Sequence, residues 1–474
     1  MAYELYRIPT FYGINQSSAE NMIRAGESPD ACNMDTSGGR LSVAKGYVHD
    51  SEAKIAGYGT VRRLFVWNRP SGRVFVAAAG SSILKRAETD AAWSAIYTYT
   101  DAAANPERFD FQVMKVASEE MLLIACGRTS IVKWNGTDAS ASAFGSAEAL
   151  SDIAVNDLEV YYGRLFSAGD GAHPARLYWS CTPGGTRTVE DWSSAEESAN
   201  VSGGYVEVGT DSDPITGIYA LSNQLVIFKR DSVYRLLGDR PSNWRIVPVN
   251  AAMRQPAPTA VVRYGDVLYF LTRGGLYCFD GQNVNRLRNA ENILSFLAGA
   301  DTSNAVGAVS GDRLYFLVRE GEGDAMLVYD LMRMTYMVRR GFSPVDLASA
   351  GDTLYLLTTD GFVSRFNEGT DYAGKRIDAY WTTPMTDFDE KIADKRLREL
   401  YVRGTGGIAA VEAISVSGQS YYERILPDEK GDVLEVPLSG EGRAFRLRIS
   451  NVNGSGFSID GGLELLTDVQ RRVL

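Results

Sequence analysis

The sequence predicts an all-β protein built from a repeated strand unit, and three observations carry that prediction. Short apolar strands recur at a near-regular interval, turn residues stand between them, and helical periodicity is confined to the short patches Ala19–Ala25 and Ile293–Leu297. The recurring strand is five residues long and is found seven times, at Arg73–Ala77, Met121–Ala125, Arg164–Ala168, Gln224–Phe228, Val267–Leu271, Arg313–Leu317 and Thr353–Leu357. Counted from the second residue of each copy, the spacings are 48, 43, 60, 43, 46 and 40 residues.

A turn and a second strand follow each copy: Ser82–Lys85, Ser130–Trp134, Arg176–Trp179, Ser232–Leu236, Gly275–Phe279, Met326–Tyr329 and Gly361–Phe366. Connectors such as Arg273-Gly-Gly and Asp360-Gly carry hairpin chemistry, because glycine enters the positive-φ region without a steric penalty. Another extended segment often precedes the repeated strand, as in Val261–Asp266, Val306–Asp312 and Asp346–Asp352. A fourth lies behind the pair in Trp93–Tyr97, Trp244–Val249 and Met334–Val338. Four antiparallel strands per unit at this period predict a β-propeller of about seven four-stranded blades. The near-continuously apolar copies are then inner strands buried on both faces, so their Tyr, Leu and Phe side chains belong to the core and not to a ligand-binding stripe.

Around this repeat the chain divides into an extended N-terminal arm at 1–50, a propeller at 51–380 and a C-terminal domain at 381–474. The arm is rich in Asn, Ser and Asp and ends in a strand at Arg40–Ala44, suited to closing the ring or reaching a neighbouring subunit. After Tyr380 the blade rhythm stops. The segments Lys395–Val402, Ile408–Val416, Val433–Leu438, Ala444–Ile449 and Gly462–Leu466 alternate with Gly, Ser and Asn turns, which predicts a small β-sandwich. The longest interval between repeats holds an insertion at about 182–211, rich in Ser, Gly, Thr and Glu, and long surface loops of this kind carry contacts.

At 474 residues the chain is long enough for several cores or one large repeat array, and 45% hydrophobic with 23% charged residues is globular composition. A formal charge of −11 lacks the clustered Lys and Arg that grip nucleic acid by counterion release. Such a balance suits a wall past which a duplex slides. Cys32, Cys126, Cys181 and Cys278 are scattered, with no C-x-x-C pair, and read as reduced buried thiols of a cytoplasmic environment. The opening Met1–Asn15 lacks a basic stretch followed by an apolar one, and no run of about 18 apolar residues occurs, so neither a secretory leader nor a membrane span is expected.

No constellation of residues reads as an active site, and the chain is expected to be neither an enzyme nor a holder of a cofactor or metal. His49 and His173 are the only histidines, and neither has the i, i+4 spacing of a zinc helix. The glycine run Gly404-Thr-Gly-Gly follows an apolar strand, yet Ala410–Gly418 alternates like a strand and opens no helix for a pyrophosphate, so the run is a hairpin turn. Acidic clusters at Asp211-Ser-Asp213 and Asp387-Phe-Asp-Glu390 are oxygen-rich but lack the spacing of a calcium loop, and solvated turns are the plainer reading. The S-x-D-x-G-x-T-W box of sialidase propellers is missing throughout. Paired carboxylates from different blades would leave no sequence spacing, which keeps a propeller hydrolase as a lesser alternative.

Several segments resemble tail proteins of tailed bacteriophages, in particular the propeller-bearing nozzle or hub proteins of short-tailed phages. These are Phe11–Asn15, Ala31–Asp35, Gly38–Leu41 and Lys45–Tyr47 in the opening, then Arg164–Gly169 with Pro174–Ser180, and Tyr380–Pro384 leading into Lys395. The resemblance implies a structural, non-enzymatic virion protein assembled in the bacterial host cytoplasm. It would form a ring, a hexamer by the same analogy, around the DNA exit channel and join tail components during ejection. The partners implied are other copies of the chain, tail adaptor or portal-proximal proteins, tail fibres, and viral DNA that passes without specific binding. A glycan- or receptor-binding propeller is the main alternative, and Trp192 in the long insertion is its candidate aromatic platform. The candidate interaction residues are therefore Trp192, Asp211 and Asp213.

Overall fold

The computed structural model describes residues 2–17, 19, 22–99, 108–145, 154–183, 187–194, 200–249, 260–425 and 432–470. The insertion at 182–211 and the helical patch at 19–25 each lie partly outside the described residues. Ten strands carry the argument and are labelled in chain order: β1 (Ala2–Ile8), β2 (Val61–Arg69), β3 (Asp110–Val116), β4 (Asp157–Tyr161), β5 (Ile215–Leu221), β6 (Ala260–Tyr264), β7 (Ala300–Ser310), β8 (Pro344–Ala350), β9 (Asp394–Gly406) and β10 (Phe457–Gln470).

Strands β2 to β8 each open a four-stranded antiparallel sheet, and each repeated apolar strand of the sequence lies within the second strand of one of them. The β2 sheet continues through Gly72–Ala79, Ser82–Ala87 and Ser94–Thr98, and the others follow the same meander. The sheet begun by β8 takes Tyr47–His49 as its last strand. The two larger sheets mix both ends of the chain. One has five strands, Asp30–Cys32, Tyr380–Thr382, Phe445–Asn451, Ala409–Ser415 and Ser420–Ile425. The other has seven and is centred on β10 between β9 on one side and β1 with Leu41–Val43 on the other.

This architecture corrects the expected β-propeller with a C-terminal β-sandwich. Among the described residues the protein is mostly antiparallel β in nine separate small sheets, with no closed or curled, propeller-type arrangement joining them. Among the described residues the one α-helical turn is Leu294–Ala298, preceded by a 3₁₀ turn at Ala290–Ile293. The physical reason lies at the sheet edges. Fourth strands such as Ser94–Thr98, Gly204–Glu207, Arg245–Pro248 and Val284–Arg286 are short, with few buried positions, and hydrogen-bonded pairing ends there. The repeat in the sequence records a hairpin pattern, and that pattern is silent about closure.

By contact the chain divides into two units, one of 1–49, 288–343 and 364–474 and one of 50–287 and 344–363. In the second unit each pair of consecutive sheets shares an apolar cluster. Val76 and Ile83 share a cluster with Leu122 and Trp134, Leu123 with Leu165, Phe166 with Leu225 and Ile227, and Phe228 with Phe270, whose ring lies 5.0 Å away. The second strands have side chains on both faces and are correspondingly dry: Arg164–Ala168 and Gln224–Lys229 are buried at every position. Each Val, Leu, Ile or Phe so buried stabilises the fold by about 1.5–3 kcal/mol before entropy is counted. In the first unit, β10 buries Phe457, Ile459, Leu463, Leu465 and Val469, and β9 buries Leu397, Leu400 and Val402.

Candidate functional site: a carboxylate and arginine cluster

Within the second unit the opening strands of neighbouring sheets carry ionisable side chains where apolar residues are the rule. Asp346 on β8 is fully buried, and its Oδ2 accepts the Leu64 N–H of β2 at 2.6 Å while Oδ1 accepts Arg63 Nη1 at 2.8 Å. Asp110 on β3 accepts the Leu158 N–H of β4 at 2.7 Å. Glu159 on β4 accepts the Ala220 N–H of β5, and Arg263 on β6 donates to the Ala220 carbonyl at 3.0 Å. In three places, then, a carboxylate reaches across to a backbone N–H of the next sheet and satisfies a donor that the meander leaves unpaired.

Asp157 completes the cluster. Arg108 Nη2 donates to its Oδ1 at 2.5 Å and to the Thr216 carbonyl at 3.0 Å. Asp157 Oδ2 and Thr216 Oγ1 are buried with no hydrogen-bond partner among the described residues. The Arg108 side chain is 49% exposed, so the cluster meets solvent on that side. Burial pushes the Asp157 carboxyl up to about 7, with Arg108 opposing and Asp110 adding to the shift. Burial likewise pushes Glu159 up to about 7 against the Ala220 N–H, and it raises Asp110, Asp346 and the Tyr219 hydroxyl above their ordinary values. Of these, Asp157 and Glu159 exchange protons near neutrality, and strongly shifted groups of this kind mark functional and structural clusters alike.

In the first unit a second polar cluster surrounds Asp35. Arg313 donates to both of its oxygens at 2.8 and 3.1 Å, and Arg339 Nη2 lies 3.6 Å from Oδ2. Burial would raise the Asp35 carboxyl, but the Arg313 hydrogen bonds and the Arg339 charge hold it well below the usual range. A cavity of about 10 Å³ lies among Asp35, Arg313, Asp330 and Arg339, and an open cleft of about 400 Å³ runs past Arg313, Asp312, Met332 and Arg333.

The residues singled out in the sequence do not meet. Trp192 is 5% exposed and packs edge-on to Phe144 at 6.5 Å, inside the apolar cluster with Leu158 and Tyr178, so its ring offers no platform at the surface. Asp211 accepts the Ala175 N–H at 3.2 Å, and Asp213 accepts the Asp231 N–H at 2.8 Å and the Ser232 hydroxyl at 2.5 Å. Both brace turns beside buried Lys229, which donates to the Val208 and Thr210 carbonyls. His49 Nδ1 stands 3.0 Å from the Ser364 hydroxyl. Among the described residues no three His, Cys, Asp or Glu side chains gather as a metal site, and no helix is long and apolar enough to cross a membrane. Sequence reasoning missed Asp110, Asp157 and Asp346. The signal was an Asp immediately before an apolar residue, Phe111, Leu158 or Leu347, at or near the start of an opening strand.

Comparison with known proteins assigns no family. No family model matches the chain, and no curated protein does. Among solved structures, the chain resembles a chain of the crystal structure of a mitotic checkpoint complex, at 11% identity and a TM-score of 0.43, covering 69% of this chain and 94% of that one. A likeness that distant carries no inference about fold or function. The resemblance to phage tail nozzle and hub proteins is corrected: no family model or curated protein supports it, and the sheets form no propeller-type arrangement on which a role in DNA ejection could rest. The segments that suggested it, such as Lys45–Tyr47 and Arg164–Gly169, are short strand-and-turn sequences that any meandering sheet protein can use.

Proposed function

We propose that the protein is a non-catalytic assembly component that works through contacts with other protein chains, chiefly copies of itself. The observation that carries this reading is the exposure of large apolar side chains on edge strands of the two larger sheets. Tyr3 is 67% and Leu5 40% exposed on β1, Tyr422 is 58% exposed on Ser420–Ile425, and Val433 is 55% exposed on Val433–Pro437. Edge strands expose unpaired backbone donors and acceptors, and solitary proteins normally blunt them with charge, proline or bulges. Apolar residues at such edges favour pairing with another chain. The cluster around Asp157 supports the same reading, because Asp110, Glu159 and Asp346 are already engaged with backbone N–H groups of neighbouring sheets. Sedimentation velocity over a wide concentration range tests the proposal. Association should grow with concentration, and a single 51.8 kDa species at every concentration contradicts it.

A further inference from the structure

Strand β1 is the most complete of these edges. It pairs with β10 from Ala2↔Val469 to Ile8↔Leu463, and among the described residues no strand pairs with its other side. Its side chains alternate. Tyr3, Leu5 and Arg7 are exposed on one face, while Ile8 is fully buried and Tyr6 packs edge-on to Phe388 at 5.6 Å on the other. The strand is thus anchored through one face and along one edge, with its remaining edge presented in a fixed conformation.

Resting on the assembly reading above, we infer that β1 pairs antiparallel with β1 of a second copy, centred on Leu5, and so joins two seven-stranded sheets across a twofold axis. The sequence of the strand is self-complementary in this register. Leu5 faces Leu5 of the other copy, Tyr3 faces Arg7, Glu4 faces Tyr6 and Ala2 faces Ile8, so no like charges are opposed. Tyr3 and Arg7 form a cross-strand aromatic–cation pair, and the Leu pair buries the apolar centre. Arg7 already lies 3.0 Å from Glu464 on β10, which holds its guanidinium over the same face. The neighbouring in-face registers are worse. A slip of two residues one way sets Glu4 against Glu4, and a slip the other way sets Glu4 against Ile8, so the sequence selects the Leu5-centred pair by penalising its competitors. An isologous twofold contact of this kind closes on itself as a dimer. A contact made through a single strand edge is small, so the dimer dissociates on dilution.

Register-specific cross-linking tests the inference. Leu5→Cys and Tyr3→Cys are made separately in a Cys278→Ser background, since Cys32, Cys126 and Cys181 are buried, and each is oxidised under mild conditions at high and low protein concentration. Leu5→Cys should give a covalent dimer at high concentration. Tyr3→Cys should give at least tenfold less, because in this register the two copies of position 3 are about 13 Å apart. Equal cross-linking of both variants, or of neither while the wild-type chain still associates, overturns the β1 contact and leaves the assembly reading standing. A wild-type chain that stays monomeric throughout overturns both.

Discussion

Asp157 and Glu159 hold their protons to about pH 7 in the folded protein, because burial disfavours the carboxylate more than Arg108 and the Ala220 N–H favour it. In the unfolded chain both groups ionise near their ordinary values, so the folded state binds more protons between about pH 4 and 7. The stability these groups contribute is fully present below the ordinary carboxylate range and is lost as pH rises through about 7. Thermal unfolding should therefore show a Tm that falls from pH 5 to pH 8, and Asp157→Asn with Glu159→Gln should flatten that slope; an unchanged slope contradicts the assignment. Asp346 sits in a simpler setting, held across the sheets by the Leu64 N–H and Arg63. Asp346→Ala strands a buried N–H and should cost about 2–3 kcal/mol, discounted because Arg63 is partly exposed, as read by urea unfolding.

Strand β1 depends on a close approach at its end. Gly462 lies in β10 at φ +82°, where an added Cβ would stand 2.0 Å from the Ile8 carbonyl oxygen. Only glycine fits there, and the register of β9 against β10 shifts at the same place, between Val402 and Arg403. Gly462→Ala should loosen β1 from its sheet, seen as faster amide exchange over residues 2–8 with little change at Gln224–Lys229. Much of the strand inventory was legible in the sequence, because the second strands are both dry and β-branched or aromatic, and Gly or Asp–Gly marks their turns. What the residues did not reveal was how the sheets relate. Trp192 read as a loop residue because its neighbours are polar, whereas it is drawn into the core by Phe144 and Leu158, which lie far away in sequence. The carboxylate links were hidden for a similar reason: the partner of Asp110 is a backbone N–H 48 positions on, and a main-chain donor leaves no mark in a sequence.

At the scale of the whole molecule, nine separate sheets are held by two different means. Apolar clusters join consecutive small sheets in one unit, and long strands from both chain ends build the two larger sheets in the other. A body made this way presents many strand edges. Most fourth strands are short, while β1 and the Ser420–Ile425 edge keep apolar side chains exposed on longer strands of the two larger sheets, and this is what makes association through edges the function the structure best supports. The most direct measurement is amide hydrogen exchange on the intact chain at low and at high protein concentration. The account predicts that protection rises with concentration over residues 2–8 while the second strands stay equally protected throughout. Exchange that is independent of concentration along the whole chain would contradict it.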